Sequence, residues 1–231
     1  MHRSALEIGH LFVANYWRRD FECVVDIGSY DVNGSLRSFI PEEALYIGVD
    51  LESGPGVSVV KAIEAMCPLE DGCADVVVCT SVFEHDDFFW QTFVDMARLL
   101  KPEGLLYINA PSNGWFHLHP TDSWRFYPDC GRALTRWAIK CGQPMRIVET
   151  FVADRYDDVW NDFVGVFSKG DCASPVEYIS NLWPCSNVRR QDLDGRSALR
   201  HETQDMLLIE ERGQEIVKLK AEIARLNDKM S

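Results

Sequence analysis

The chain has 231 residues, 46% of them hydrophobic and 26% charged, which excludes a disordered, collagen-like or low-complexity polypeptide. Its 36 acidic residues outnumber 23 basic ones, for a net charge of −13. After Gly195 the signs balance, so the earlier residues carry the whole excess, and a surface that negative repels phosphate backbones and anionic lipid. Residues 1–20 lack a signal-peptide layout, and no run of 18 apolar residues exists to span a membrane.

The spacing of apolar residues predicts a helix over 4–19, then a short buried strand, Glu22 to Gly28, that ends in a glycine turn. A helical stretch starts at Gly34, and a second strand covers Ala44 to Leu51. Val57 to Lys61 forms a short third strand and Asp75 to Thr80 a fully apolar fourth. Phe88 to Leu100 repeats at helical spacing and stops at Lys101-Pro102-Glu103-Gly104. Leu105 to Ala110 is the next strand, Asp129 to Cys141 a helix, and Arg146 to Ala153 and Asp162 to Ser168 a closing strand pair. This alternation predicts an α/β fold: a Rossmann-like, seven-stranded, mostly parallel sheet with helices on both faces. Ligands of such sheets bind beyond the carboxyl ends of the strands, here just after Asp26, Asp50, Thr80 and Ala110.

Residues 1–168 are therefore read as one domain and 169–195 as a linker or covering loop. Residues 196–231 are read as a C-terminal helix. Ile209, Ile216, Ile223 and Met230 repeat every seven residues there, with Leu219 and Leu226 between them, while Arg212 breaks the first intervening position. That pattern predicts a parallel coiled coil and a homodimer, although three heptads need help from the domain. The eight cysteines show no CxxC pair, which favours free thiols in a reducing cytoplasm over a disulfide framework or a zinc site.

The first strand runs into Asp26-Ile27-Gly28-Ser29-Tyr30-Asp31-Val32-Asn33-Gly34. A glycine there lets backbone approach a ligand closely. Asp50, 24 residues after Asp26, ends the second strand where an acid can accept both hydroxyls of a ribose. The pair suits an adenosine-containing cofactor, and GSYDVNG offers no pyrophosphate cradle of the GxGxxG type.

With these pieces, PLEDGCADVVVCTSVFEH, RLLKPEGLLYINAPSNG and HPTDSWRFYP, the chain resembles the class I S-adenosylmethionine-dependent methyltransferases over residues 22–168. It is most similar to small, type-11-like bacterial members associated with sugar or surface-glycan modification. The resemblance implies that Asp26, Gly28, Ser29 and Gly34 line the methionine end of S-adenosylmethionine. Asp50 would bind the ribose, Leu51 would lie against the adenine, and Glu64, Ala65 and Met66 would flank its other side. Thr80, Ser81 and Glu84 would close the pocket. The common GxGxG is replaced by GSYDVNG, and Ile63 stands where an acid is frequent.

Methyl transfer needs acceptor and methyl held at attack distance, and a hydroxyl acceptor gains from a general base. His119 and His85 are the candidate bases, with Asp122 as a third catalytic candidate. His117, Trp124, Arg125 and Tyr127 are candidate acceptor contacts, since aromatic faces with a few polar groups suit a sugar or a flat ring. His117-x-His119-x-x-Asp122 has the look of a divalent-metal set, but no second carboxylate cluster supports it, and no metal is assigned. The expected activity is O-methylation of a sugar or glycan precursor. The alternatives are a small aromatic or amine acceptor, and a non-catalytic, cofactor-binding scaffold with a coiled-coil tail.

Overall fold

The computed structural model describes residues 2–118, 121–156, 159–191, 197–198 and 201–230. One nine-stranded sheet organises them. Its parallel half holds β1 (Cys23–Ile27), β2 (Leu45–Asp50), β3 (Val59–Val60), β4 (Ala74–Thr80) and β5 (Leu100–Pro111), in the order β3-β2-β1-β4-β5. β7 (Asp162–Lys169) then pairs antiparallel with both β5 and β6 (Met145–Ala153), so β6 runs in the same sense as β5. Two further antiparallel strands, β8 (Cys185–Arg190) and β9 (Ser197–Ala198), extend this side.

The sheet thus has two strands more than the seven expected. β8 lies in the stretch read as a linker, and β9 lies where a helix was expected to begin. CSNVRR lacks the apolar run or strict alternation that marks a strand, and its pairing with β6 comes from tertiary contact alone.

Both faces are covered. Val25 and Ile27 of β1 point into one core with Phe93 and Met96 of α2 (Phe89–Leu99) and Leu134 and Ala138 of α3 (Asp129–Lys140). Val24 points into the other with Ile8 and Phe12 of α1 (Arg3–Tyr16). Between β1 and β2 the expected helix shrinks to a 3-10 turn at Leu36–Phe39. The upstream α1 takes over that face: a Cβ on Gly9 would overlap the Leu36 side chain, so helix and turn are in direct contact. The Lys101–Gly104 turn lies inside β5 as a bulge, the register with β4 jumping from Ala74↔Leu100 to Val76↔Leu105.

Buried Glu149 on β6 locks the antiparallel side to α1. Its carboxylate accepts the Tyr16 hydroxyl at 2.5 Å and the backbone N–H groups of Ile179 and Ser180 at 2.8 and 3.1 Å, at the start of the short α4 (Ile179–Leu182). The last helix, α5 (Gln204–Met230), is fixed at its first turn, where Gln204 Oε1 accepts from Asn161 at 2.9 Å and Asp205 pairs with Arg155. Beyond it, Ile209, Ile216, Leu219, Ile223 and Leu226 are all at least half exposed. No helix among the described residues is long and apolar enough to cross a membrane.

Candidate active site

The parallel strands β1, β2, β4 and β5 end at one edge, and most of the described residues singled out in the sequence lie there. The turn after β1 folds over the end of β2, with the N–H groups of Gly28 and Ser29 both donating to the Val49 carbonyl, at 2.9 and 3.2 Å. Gly28 has φ +82°, and a Cβ there would overlap Cγ2 of Val82. Glycine therefore serves two needs, the left-handed backbone and the close approach of the turn that follows β4. Asp26 lies buried beneath, accepting the Tyr46 hydroxyl at 2.6 Å, and burial pushes its carboxyl up to about 6.

Asp50 ends β2 with its carboxylate accepting the Tyr30 N–H at 2.9 Å and its own neighbour Leu51 N–H at 2.7 Å. Leu51 and Met66 are exposed apolar side chains, on segments that leave β2 and β3 at the same edge. Glu64, at φ +60°, and Ala65 are also exposed there. Ser29 Oγ and Thr80 Oγ1 are buried and have no hydrogen-bond partner. Orphaned hydroxyls at the ends of two strands are what a polar ligand would satisfy, so these residues fit a nucleoside cofactor. Gly34, at φ +109°, is exposed and closes the loop by donating its N–H to Asp31 Oδ1 at 2.8 Å.

The turn after β4 carries Ser81, in the left-handed region at φ +55°, and buried Glu84. The loop after β5 docks on this turn through main-chain bonds. The Glu84 carbonyl accepts the N–H groups of Ser123 and Trp124 at 2.7 and 3.3 Å, and the His85 carbonyl accepts the Thr121 hydroxyl at 3.2 Å. In return His85 Nδ1 donates to the Thr121 carbonyl, which leaves the lone pair on Nε2, 3.6 Å from Glu84 Oε1. The His85 and His117 rings meet edge to face, with centroids 5.0 Å apart. Burial pushes the Glu84 carboxyl up to about 7, and its Oε2 has no partner.

Other expected roles change. Asp122 is clamped by Arg125, with Nη2 to Oδ2 at 2.7 Å, and accepts the His117 N–H at 2.8 Å. The guanidinium holds its carboxyl down at about 2, so Asp122 anchors the loop and is a weak proton acceptor. Arg125 also donates from Nη2 and Nη1 to the carbonyls of Trp115 and Trp124, at 2.9 and 2.8 Å, as part of the loop's footing. Trp124 packs edge-on to Phe89 at 5.3 Å and donates its indole N–H to the Asp86 carbonyl at 3.1 Å, as part of the loop's footing. Tyr127 is exposed just ahead of α3, where its carbonyl accepts the Cys130 N–H at 2.8 Å. His119 lies outside the described residues. Sequence reasoning missed Tyr46, Val82 and Trp160. The last is brought in from beyond β6, its ring 5.0 Å from that of His117.

Residues 40–108 match the family model described as a methyltransferase domain. No curated protein matches the chain. Among solved structures, the chain is similar to the 1,6-didemethyltoxoflavin-N1-methyltransferase of Burkholderia thailandensis, which was solved with 1,6-didemethyltoxoflavin and S-adenosylhomocysteine bound. The identity is 18% and the TM-score 0.54, over 73% of this chain and 78% of that one. A S-adenosylmethionine-dependent methyltransferase from Archaeoglobus fulgidus gives 17% identity and a TM-score of 0.52, over 71% and 94% of the two chains. One from Aquifex aeolicus gives 14% and 0.50, over 73% and 94%. Residues 40–108 thus carry the methyltransferase-domain match, and the fold is the Rossmann-like one of these solved structures.

The Gly28–Val82 contact yields a prediction. Gly28→Ala forces a side chain into the left-handed region and into Val82, and is expected to destabilise the protein by about 2–4 kcal/mol. Adding Val82→Ala removes the overlap but not the backbone strain, so it should recover part of the loss. Chemical denaturation of the single and double variants measures this, and no recovery in the double variant would contradict the contact.

Proposed function

We propose that the chain methylates an oxygen of a sugar or glycan precursor. Support comes chiefly from one observation: Glu84, His85 and His117 form a polar cluster at the edge where the cofactor turn lies, with the largely exposed rings of Trp115 and Phe116 on the same loop. Flat apolar rings beside a few polar groups suit the C–H faces and hydroxyls of a sugar.

Bound S-adenosylmethionine supplies a methyl group on a positive sulfur, which keeps the carbon–sulfur electron pair as the methyl passes to the acceptor. The residues at the ends of β1, β2, β3 and β4 would hold it. Asp50 would take the ribose hydroxyls, Leu51 and Met66 would flank the adenine, and the Ser29 and Thr80 hydroxyls would face the methionine end. The chain's remaining task is to hold the acceptor oxygen in line and dispose of its proton. The Glu84–His85–His117 cluster is the place for that.

A methyl-labelled cofactor assay on the full chain, with nucleotide-activated sugars, small phenols and small amines as acceptors, tests the reading. Label in a sugar, as an ether stable to mild base, is expected. Label only in phenols or amines replaces the acceptor, and cofactor binding without any transfer leaves the scaffold alternative. Asp50→Ala removes a charge-assisted contact and should weaken cofactor binding roughly ten- to hundredfold. Calorimetry finding equal affinities would refute the assignment of Asp50.

We further infer a homodimer paired through α5, in a reducing cytoplasm that suits eight free cysteines. The apolar stripe of Ile216, Leu219, Ile223 and Leu226 keeps the heptad spacing and is half exposed along its length. Placing Asp at both Ile216 and Ile223 buries unpaired charge in such a seam. Sedimentation of the full chain at high micromolar concentration is expected to show a dimer for the native sequence and a monomer for the double variant. A monomeric native protein would overturn the pairing.

A further inference from the structure

We propose that Glu84, His85 and His117 form a binding site for a divalent first-row transition ion, a set of two imidazoles and one carboxylate that positions the acceptor's hydroxyl. The site stands on its own geometry. Its role at the acceptor rests on the oxygen-acceptor reading above.

One ligand atom from each residue lies within 4.8 Å of the other two. Ligands about 2.1 Å from a shared ion sit about 3–3.5 Å apart. Glu84 Oε1 and His85 Nε2, at 3.6 Å, are nearly there already. Small side-chain rotations close the rest.

Two independent features point to a cation. Glu84 is only 2% exposed, and its Oε2 is buried with no hydrogen-bond partner. A carboxyl oxygen left unpaired in that position costs free energy, which a proton or a bound cation relieves. The second feature is the outer contact of His85. It donates Nδ1–H to the Thr121 carbonyl. Metal-ligating histidines are oriented in this way by a carbonyl or carboxylate behind the ring, which fixes the tautomer. On His85 it turns the lone pair of Nε2 toward Glu84. Asp122 and Asp162 add negative field around Glu84, opposed by Arg125.

The donor set selects the ion. Imidazole with carboxylate and no thiolate suits Mn²⁺, Fe²⁺, Co²⁺ or Zn²⁺ better than Mg²⁺ or Ca²⁺. The sequence pattern His117-x-His119-x-x-Asp122 points elsewhere, because Asp122 is committed to Arg125 and the carboxylate comes from the far side of the cleft. Val82, two residues before Glu84, touches the Gly28 turn, so the cluster borders the cofactor edge. A cation there would orient a sugar hydroxyl and raise its acidity, as bound metal ions do for water.

The test is a Mn²⁺ titration of the chelator-treated full chain, read by loss of the free-ion electron paramagnetic resonance signal. Nitrogen hyperfine coupling on the bound ion reports imidazole ligands. One ion per chain with nitrogen coupling is expected, displaced by Zn²⁺. His117→Gln and Glu84→Gln are each expected to weaken it roughly tenfold or more. Glu84 is buried and its variant is a risk for folding, so the half-buried loop residue His117 carries the comparison, with a thermal melt as control. No stoichiometric binding, or binding without nitrogen coupling that His117→Gln leaves unchanged, would overturn the site and assign Mn²⁺ to the acidic surface. The outcome is separable from the acceptor reading. Ion binding without sugar methylation removes the acceptor and keeps the site. Sugar methylation by a chain that binds no ion does the reverse.

Discussion

Everything at the active edge is positioned by the parallel pairing of β1 with β4. The register Val24↔Val76 through Ile27↔Cys79 is set by strands buried on both faces, where a slip of one residue would exchange the two cores. Gly28 follows Ile27, and Val82 follows Cys79 by three residues, so the register alone brings the two turns together. The missing Cβ of Gly28 is the space Val82 fills. From that contact the depth of Thr80, Ser81 and Glu84 relative to the glycine turn is fixed. The proposed cofactor and acceptor halves of the cleft are thus two consequences of one strand pair.

The acceptor half is held mainly by main chain. Bonds from Ser123, Trp124 and Thr121 to the carbonyls of Glu84 and His85 dock the loop after β5 onto the turn after β4. Asp122 and Arg125 then close the loop on itself, with Arg125 reaching back to the Trp115 carbonyl. This division of labour leaves the outward-facing Trp115 and Phe116 side chains free of structural duty. It also sets the three residues of the polar cluster on one hydrogen-bonded frame. A pre-positioned cluster is what orientation-driven chemistry requires.

How much of this was legible follows from where each signal resides. The buried strands and the Gly28–Asp50 pair were readable because each is a local pattern, an apolar run or a fixed spacing within one crossover. β8 was not, since Cys185–Arg190 is half polar and becomes a strand only by pairing with β6. The 3-10 turn at Leu36–Phe39 was read as a longer helix because nothing local says that α1 already occupies that face. Helix α2 stops before Lys101 as expected, but Lys101–Gly104 belong to β5 with a bulge, which depends on the partner strand. Within the site, Asp122 carried a plausible chemical label until its neighbour Arg125 turned out to take both of its oxygens. Glu84 and His117 come from the ends of different strands, so no spacing rule connects them.

The first turn of α5 reaches Arg155 and Asn161, and Asp205 also accepts from Asn113, at the root of the loop after β5. Asn113 and Asn161 bind each other twice, side chain to side chain at 2.8 Å and Asn161 N–H to Asn113 Oδ1 at 2.6 Å. The helix base and the acceptor loop therefore share one hydrogen-bonded knot. Past that knot the described side chains of the helix are exposed, and an isolated helix with its apolar stripe in water gains little from propensity alone. A partner along the stripe would stabilise the helix over its length, while the knot confines any coupling to its first turn. Self-association would thus fix the root of the acceptor loop without touching the cofactor turn, which lies on the far side of β4 and β5 in the sheet order.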